Sequence, residues 1–365
     1  MRKPLALPES RSHHHCAMLS IIVRSMARPS LSRALDSIAA QDYGDIQVVL
    51  VGASGPGHPE PPARCGRHRL RFVPGEHRLT RPQASNAGLD ASDGDWIGFL
   101  DDDDYFLPGH VSGLMAERSI APTAGVIHSL ARYVLADGSV KQSGQPFSLM
   151  QLFERNIGAL SAMVIREDAA RRCRFDESFD ILEDWDFVLQ LARVTQFHFV
   201  PKASVECGAE SGDSGAGLGM NQDETRFTEA MNRLSVKWAS LRDALIDQIQ
   251  ALLQESSQLA QRGDLAGALT RCDEALRVSP NDPWALNLKG MIHRAAGRLA
   301  DASAAQELAV AVRPQDADLV YNLALLCRDR GDMAGAARHC ARALALAPNH
   351  SRARALAPAL STTHQ

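Results

Sequence analysis

The chain has 365 residues, 45% of them hydrophobic and 22% charged, an ordinary globular composition long enough for two domains. A formal net charge of −4 gives no sign of nucleic-acid binding, and seven scattered cysteines without a Cys-x-x-Cys pair suit reduced cytoplasmic thiols better than disulfides or zinc. No apolar stretch approaches the roughly 18 residues needed to span a bilayer.

Residues 1–17 carry charge, prolines and His13 to His15 but no apolar signal region, and read as a disordered tail. From there to about residue 220 strand-like and helix-like segments alternate. Leu19 to Val23 is β-branched, Ser30 to Gln41 sets Leu31, Leu35 and Ile38 on one helical face, and Ile46 to Val51 is a second strand. Leu70 to Val73 is a third, followed by a helix around Gln83 to Ala91 and the apolar run Trp96 to Leu100. This order predicts an α/β domain over 18–220, a mostly parallel sheet covered by helices on both faces. A hairpin follows over Val126 to Leu135 with an Asp137-Gly138 turn, then strands at Leu160 to Ile165 and Phe197 to Val205 around a helix at Glu183 to Ala192.

Strand signals stop after residue 221. Phe227, Met231, Leu234, Trp238, Leu241, Leu245 and Ile249 recur at spacings of three and four, predicting an amphipathic connecting helix placed at 221–248. Pro280, Pro314 and Pro348 then lie 34 residues apart, each preceded by a Gly (263, 297, 331) and by two Ala (268, 302, 336 and 275, 309, 343) at fixed offsets. That is the tetratricopeptide period: glycine ends the first helix, alanines allow close approach, proline marks the exit. Three repeats are expected over 249–350, an all-α solenoid offering a groove for a protein partner or a self-association surface, and 351–365 is read as a C-terminal tail.

Two acidic clusters carry the chemistry. Asp101 to Asp104 directly follow the Trp96 to Leu100 run, so they emerge at a strand's C-terminal end, where open α/β sheets bind ligands. Packed carboxylates there suit a hard divalent cation, Mn²⁺ or Mg²⁺, shared with diphosphate oxygens; a hydrated acidic turn is the plainer reading. Glu183, Asp184 and Asp186 flank Trp185 at a helix start, where the dipole favours acids and where one carboxylate can serve as a general base.

Together these segments resemble the inverting glycosyltransferases of the GT-A fold, the large family that includes the cellulose, chitin and hyaluronan synthases. The resemblance covers about residues 18–210 and rests on Leu19 to Val23, Ala84-Ser85-Asn86-Ala87-Gly88-Leu89, Gly94 to Asp104, and Glu183-Asp184-Trp185-Asp186 in that order. It implies that Asp101 and Asp103 form the Asp-x-Asp motif, Asp101 near the ribose and on the metal and Asp103 ligating it, with Asp102 on the donor side and Asp104 supporting the metal. It further implies Asp184 as catalytic base and Glu183 as orienting acid, in a single in-line displacement from a nucleotide-diphospho-sugar.

Three departures bear on the carry-over. The acid pair usual after the second strand is replaced by Val51-Gly52-Ala53-Ser54-Gly55, so uridine is not implied. Pro-x-x-Asn after the first strand is replaced by Arg24-Ser25-Met26-Ala27-Arg28, where Arg24 either holds a phosphate or makes a surface ion pair. The Gln-x-x-Arg-Trp signature of processive synthases is absent, which points to one sugar added per encounter. Arg81 and Asn86 either contact diphosphate or sugar or serve as surface and capping residues, His198 either completes a metal site or packs, and 208–219 is a lid or a linker. The expected enzyme is cytoplasmic, or peripheral at the inner membrane face, acting on a glycan, lipid-linked or polypeptide acceptor. A nucleotidyltransferase and an inactive tetratricopeptide scaffold remain the alternatives.

Overall fold

The computed structural model describes residues 17–135, 137–208 and 223–361. The first half runs β1 (Leu19–Ser25), α1 (Leu31–Ala39), β2 (Ile46–Gly52), β3 (Arg64–Cys65), β4 (His68–Pro74), α2 (Arg81–Ala91), β5 (Trp96–Asp101), β6 (Tyr105–Phe106), α3 (His110–Ala116), β7 (Ala124–Val134), β8 (Val140–Ser143), α4 (Leu149–Leu152), β9 (Met163–Arg166), α5 (Glu167–Ala170), α6 (Glu183–Val194) and β10 (Gln196–Cys207). One sheet holds these strands in the order β3-β4-β2-β1-β5-β9-β7-β10-β6, with β8 paired to β7. The block β4-β2-β1-β5 is parallel, as the alternating pattern predicts, whereas β9 enters antiparallel between β5 and β7 and makes the second half mixed.

Side-chain alternation gives the sheet two buried faces. Ile21, Val23, Val48, Leu50 and Leu100 pack with Ile38 of α1 and Val111 of α3 on one side. Ile22, Val49, Val51, Ile97 and Phe99 pack with Leu89 of α2 and with Phe187 and Leu191 of α6 on the other. Because both faces are covered, β1 and β2 read as near-continuous apolar runs rather than alternating ones.

The second half is helical: α7 (Glu224–Gln261), α8 (Leu265–Val278), α9 (Pro283–Ala295), α10 (Leu299–Val312), α11 (Ala317–Asp329), α12 (Met333–Leu346) and α13 (Ser351–Ser361). Gly263, Gly297 and Gly331 adopt φ of +84°, +73° and +81°, the left-handed turn that only glycine takes without a Cβ penalty. All six repeat alanines are fully buried between paired helices. Two expected boundaries move. The end of α7 serves as the first helix of the first repeat, so the break expected at 248 falls inside one helix; and 351–361 is not a tail but a closing helix whose Ala353, Leu356 and Leu360 cover the last repeat. No helix among the described residues is long and apolar enough to cross a membrane. The N-terminal histidines and residues 209–219 of the expected lid lie outside the described residues.

Helix α7 belongs to both halves. Ala230, Leu234 and Trp238 join the sheet's core, and Ile249 and Ser256 are buried further along. Asp186, wholly buried, accepts from Trp238 Nε1 at 2.9 Å and pairs with Lys237 at 2.9 Å, so this acid of the second cluster anchors a helix rather than serving a reaction. Removing one member of such a buried pair strands the other. Asp186→Ala is expected to lower the unfolding free energy by about 3 kcal/mol or more, read by urea titration, and an unchanged midpoint would show that apolar contacts alone hold α7.

Candidate active site

Arg24 and Asp101 end adjacent parallel strands in direct register, so both side chains leave the same sheet face at its C-terminal edge. The guanidinium meets the carboxylate bidentately, Nε to Oδ1 at 2.7 Å and Nη2 to Oδ2 at 2.8 Å. Its remaining nitrogen, Nη1, donates to Ser85 Oγ at 3.1 Å and Glu183 Oε1 at 3.2 Å, joining β1, β5, α2 and α6 at one point. This is a buried network, not the surface ion pair that Arg24 alone suggests. Burial alone would lower the Arg24 pKa, but Asp101 and Glu183 outweigh it and the pKa rises. Burial likewise pushes the Asp101 carboxyl up, and Arg24 reverses that to hold it below its ordinary range.

The four aspartates diverge. Asp102 is buried and accepts from the Met26 amide at 2.7 Å and Arg28 Nη1 at 2.9 Å, an arrangement that Ala27 permits by taking φ +60°. Asp103 pairs with Arg28 at 3.4 Å. Asp104 accepts from Ser161 Oγ at 3.0 Å and the Gly208 amide at 2.9 Å, and burial together with neighbouring Asp101 raises its pKa to about 7. Asp101 has both oxygens engaged by Arg24, each through one of its lone pairs. Among the described residues no three His, Cys, Asp or Glu side chains converge on one point. The oxygen donors of Asp103 and Asp104 suit a hard cation only if substrate oxygens complete the shell.

Helix α6 starts from Leu182, whose φ of +64° is unusual for a branched, buried side chain and turns the chain abruptly into the helix. Glu183 thereby points inward to Arg24, while Asp184 sits half-buried, accepting from the Trp185 amide at 2.8 Å and, weakly, from Asn156 Nδ2 at 3.5 Å. Burial and the Asp184 charge raise the Glu183 pKa to about 7.

Two cavities flank Arg24, Arg81 and Asp101. The larger, about 590 Å³, exposes Asp184 and Asp104 and is walled by Tyr133, residues Glu154 to Asn156, and Phe227 and Met231 of α7. The smaller, about 440 Å³, is basic, with Arg28, Arg78 and Arg226, and has Ala53 on its wall. Arg81, the first residue of α2 and enclosed by the Thr80–Gln83 capping box, reaches both. Asn86 does not: its amide accepts from the Phe175 amide and donates to the Phe175 carbonyl, both at 3.0 Å, which occupies the side chain in a backbone clasp. His198 pairs with Glu117 at 2.9 Å near the start of β10 and lines neither cavity. Arg28, Arg78, Tyr133, Asn156 and the α7 pair Phe227–Met231 were not expected; only the charge at Arg28 and the helical stripe hinted at any of them.

The family model for glycosyl transferase family 2 matches residues 20–178, and that for the tetratricopeptide repeat matches 253–311 and 302–351. The uncharacterized glycosyltransferase YwdF of Bacillus subtilis is 28% identical over 200 residues, 51% of this chain and 72% of that one. An uncharacterized glycosyltransferase of Haemophilus influenzae is 24% identical over 198 residues, 49% of this chain and 64% of its own, so the chain spans less than two thirds of that relative. The crystal structure of S. aureus TarS 1-349 superposes with a TM-score of 0.48 at 15% identity, covering 92% of this chain and 93% of that one, too loosely to carry any residue across.

A carboxyl whose folded-state pKa lies above its unfolded value favours the fold only while protonated, below about 4.5, and that contribution is lost as pH rises through about 7. Glu183→Gln, which keeps an acceptor for Arg24, is therefore expected to raise the unfolding free energy at pH 8 by roughly 1–3 kcal/mol and to leave it unchanged near pH 4.5, measured by denaturant titration at both values.

Proposed function

The chain joins a glycosyl transferase family 2 domain to a tetratricopeptide array, and on that premise we propose that it is an inverting, non-processive enzyme moving one sugar from a nucleotide-diphospho-sugar to a hydroxyl or amine acceptor, in the cytoplasm, in surface-glycan synthesis or protein glycosylation. One observation carries the reading: the Arg24–Asp101 pair and Arg81 wall both cavities, while Asp184 opens only to the larger.

The basic cavity suits the nucleoside diphosphate. Arg28, Arg78 and Arg81 offer charge-assisted donors to phosphate oxygens, and Arg81 also has the α2 N-terminus behind it. With Ala53 on this wall, no carboxylate from that segment reads the base. The sugar then lies over the Arg24–Asp101 partition, its anomeric carbon toward the larger cavity. There Asp184 takes the proton of the attacking acceptor, and a single carboxylate behind the nucleophile supports one in-line displacement. Glu183 acts through Arg24, fixing the partition rather than touching substrate. Asp103 and Asp104 are the residues that would hold Mn²⁺ or Mg²⁺, which when bound neutralises charge on the departing diphosphate.

Asp184→Asn preserves shape and removes the base. Release of nucleoside diphosphate from nucleotide sugars is expected to fall at least about 100-fold, while nucleoside diphosphate affinity in Mn²⁺ buffer, measured by calorimetry, stays within about twofold. Transfer at the parental rate would remove Asp184 from the reaction, and pyrophosphate released from a triphosphate instead would point to nucleotidyl transfer.

A further inference from the structure

We infer that the tetratricopeptide array is a working part of the catalytic cavity: Arg313, at the end of its second repeat, is a positioning residue that holds the segment 151–156 so that Asn156 meets Asp184. This rests on the reading of Asp184 as the base. The segment enters the cavity wall with Glu154, Arg155 and Asn156, and it contains little regular structure beyond the four residues of α4. One anchor is internal to the catalytic domain, where Trp185 Nε1 donates to the carbonyl of the buried Leu152 at 2.6 Å; further polar anchors come from the repeats. Gln151 is buried and uses its whole amide: Oε1 accepts from the Ser148 amide at 3.3 Å, and Nε2 donates to the carbonyl of Val312, the last residue of α10, at 2.7 Å. Gln145 Nε2 donates to the same carbonyl at 2.8 Å. Arg313 then grips Glu154 bidentately, Nη2 to Oε1 at 2.8 Å and to Oε2 at 2.9 Å.

The Val312 carbonyl is an acceptor left over at a helix C-terminus, and two glutamine amides from the catalytic domain satisfy it. Because the same short stretch then supplies Asn156 to Asp184 at 3.5 Å, the end of α10 and the base lie on one chain of contacts: α10 to Gln151 and Glu154, two residues along the backbone to Asn156, and across to the carboxylate. That Asn156 distance is at the outer limit of a hydrogen bond, so a small release of the segment breaks it. An occupant of the repeat groove that shifts α10 thereby alters base orientation without entering the cavity.

The test uses the full chain with Arg313→Ala, the conservative Arg313→Lys, and hydrogen exchange resolved to 152–158. In Arg313→Ala these amides are expected to exchange roughly tenfold faster, with α6 and β1 unchanged and Arg313→Lys partly restoring protection. Hydrolysis of nucleotide sugar by water should fall roughly tenfold through kcat, with affinities for UDP, GDP, ADP and CDP in Mn²⁺ unchanged. Unaltered exchange at 152–158 would overturn the inference, as would acceleration spread evenly over the whole domain. Failure of the parent to bind any of the nucleotides would instead sink the proposed donor while leaving the exchange result to stand on its own.

Discussion

A cation buried among carboxylates at the mouth of a sheet has to be matched, and the Arg24 guanidinium sets the terms for everything around it. Asp101 satisfies it bidentately, Ser85 and Glu183 take its third nitrogen, and so the ends of two strands and the starts of two helices are held at one point. Removing the Asp101 carboxylate would leave a desolvated charge, a cost of about 3–5 kcal/mol. Burial and charge also set protonation: Arg24 holds Asp101 below its ordinary range, while burial, with the charges of Asp101 and Asp184 respectively, raises Asp104 and Glu183 to about 7.

This partition explains why two dissimilar cavities can share a wall. On one side arginines dominate, from the β1–α1 turn and from either side of the start of α2; on the other, carboxylates and aromatic rings. Strand register alone brings this about, since residues paired across parallel strands point the same way. Asp102, one residue on, follows the opposite parity and turns under the β1–α1 loop instead.

Periodic features were legible in the sequence. The 34-residue repeat, the α7 stripe and the strand–acid junction at Leu100–Asp101 are local patterns, and each reappears as an element at about its expected place. What stayed hidden depends on partners far along the chain. Nothing near Asn86 says that it will clasp the Phe175 backbone 89 residues away, nor that His198 will meet Glu117. Asp186 looks like a third acid of a catalytic cluster until Trp238 and Lys237 arrive from α7. The left-handed Leu182 has no sequence signature either, because glycine is the residue that ordinarily marks such a turn.

Helix α7 runs unbroken for 38 residues, about 57 Å. Asp186 grips it at Lys237 and Trp238, nearer its N-terminal end, leaving roughly 16 Å to Phe227 at the cavity and roughly 35 Å to Gln261 among the repeats. On the shorter side Asp180 pairs with Arg226 and Arg233, and Ala230 and Leu234 pack into the sheet's core, so a displacement at the long end is resisted over the whole stretch that reaches the cavity.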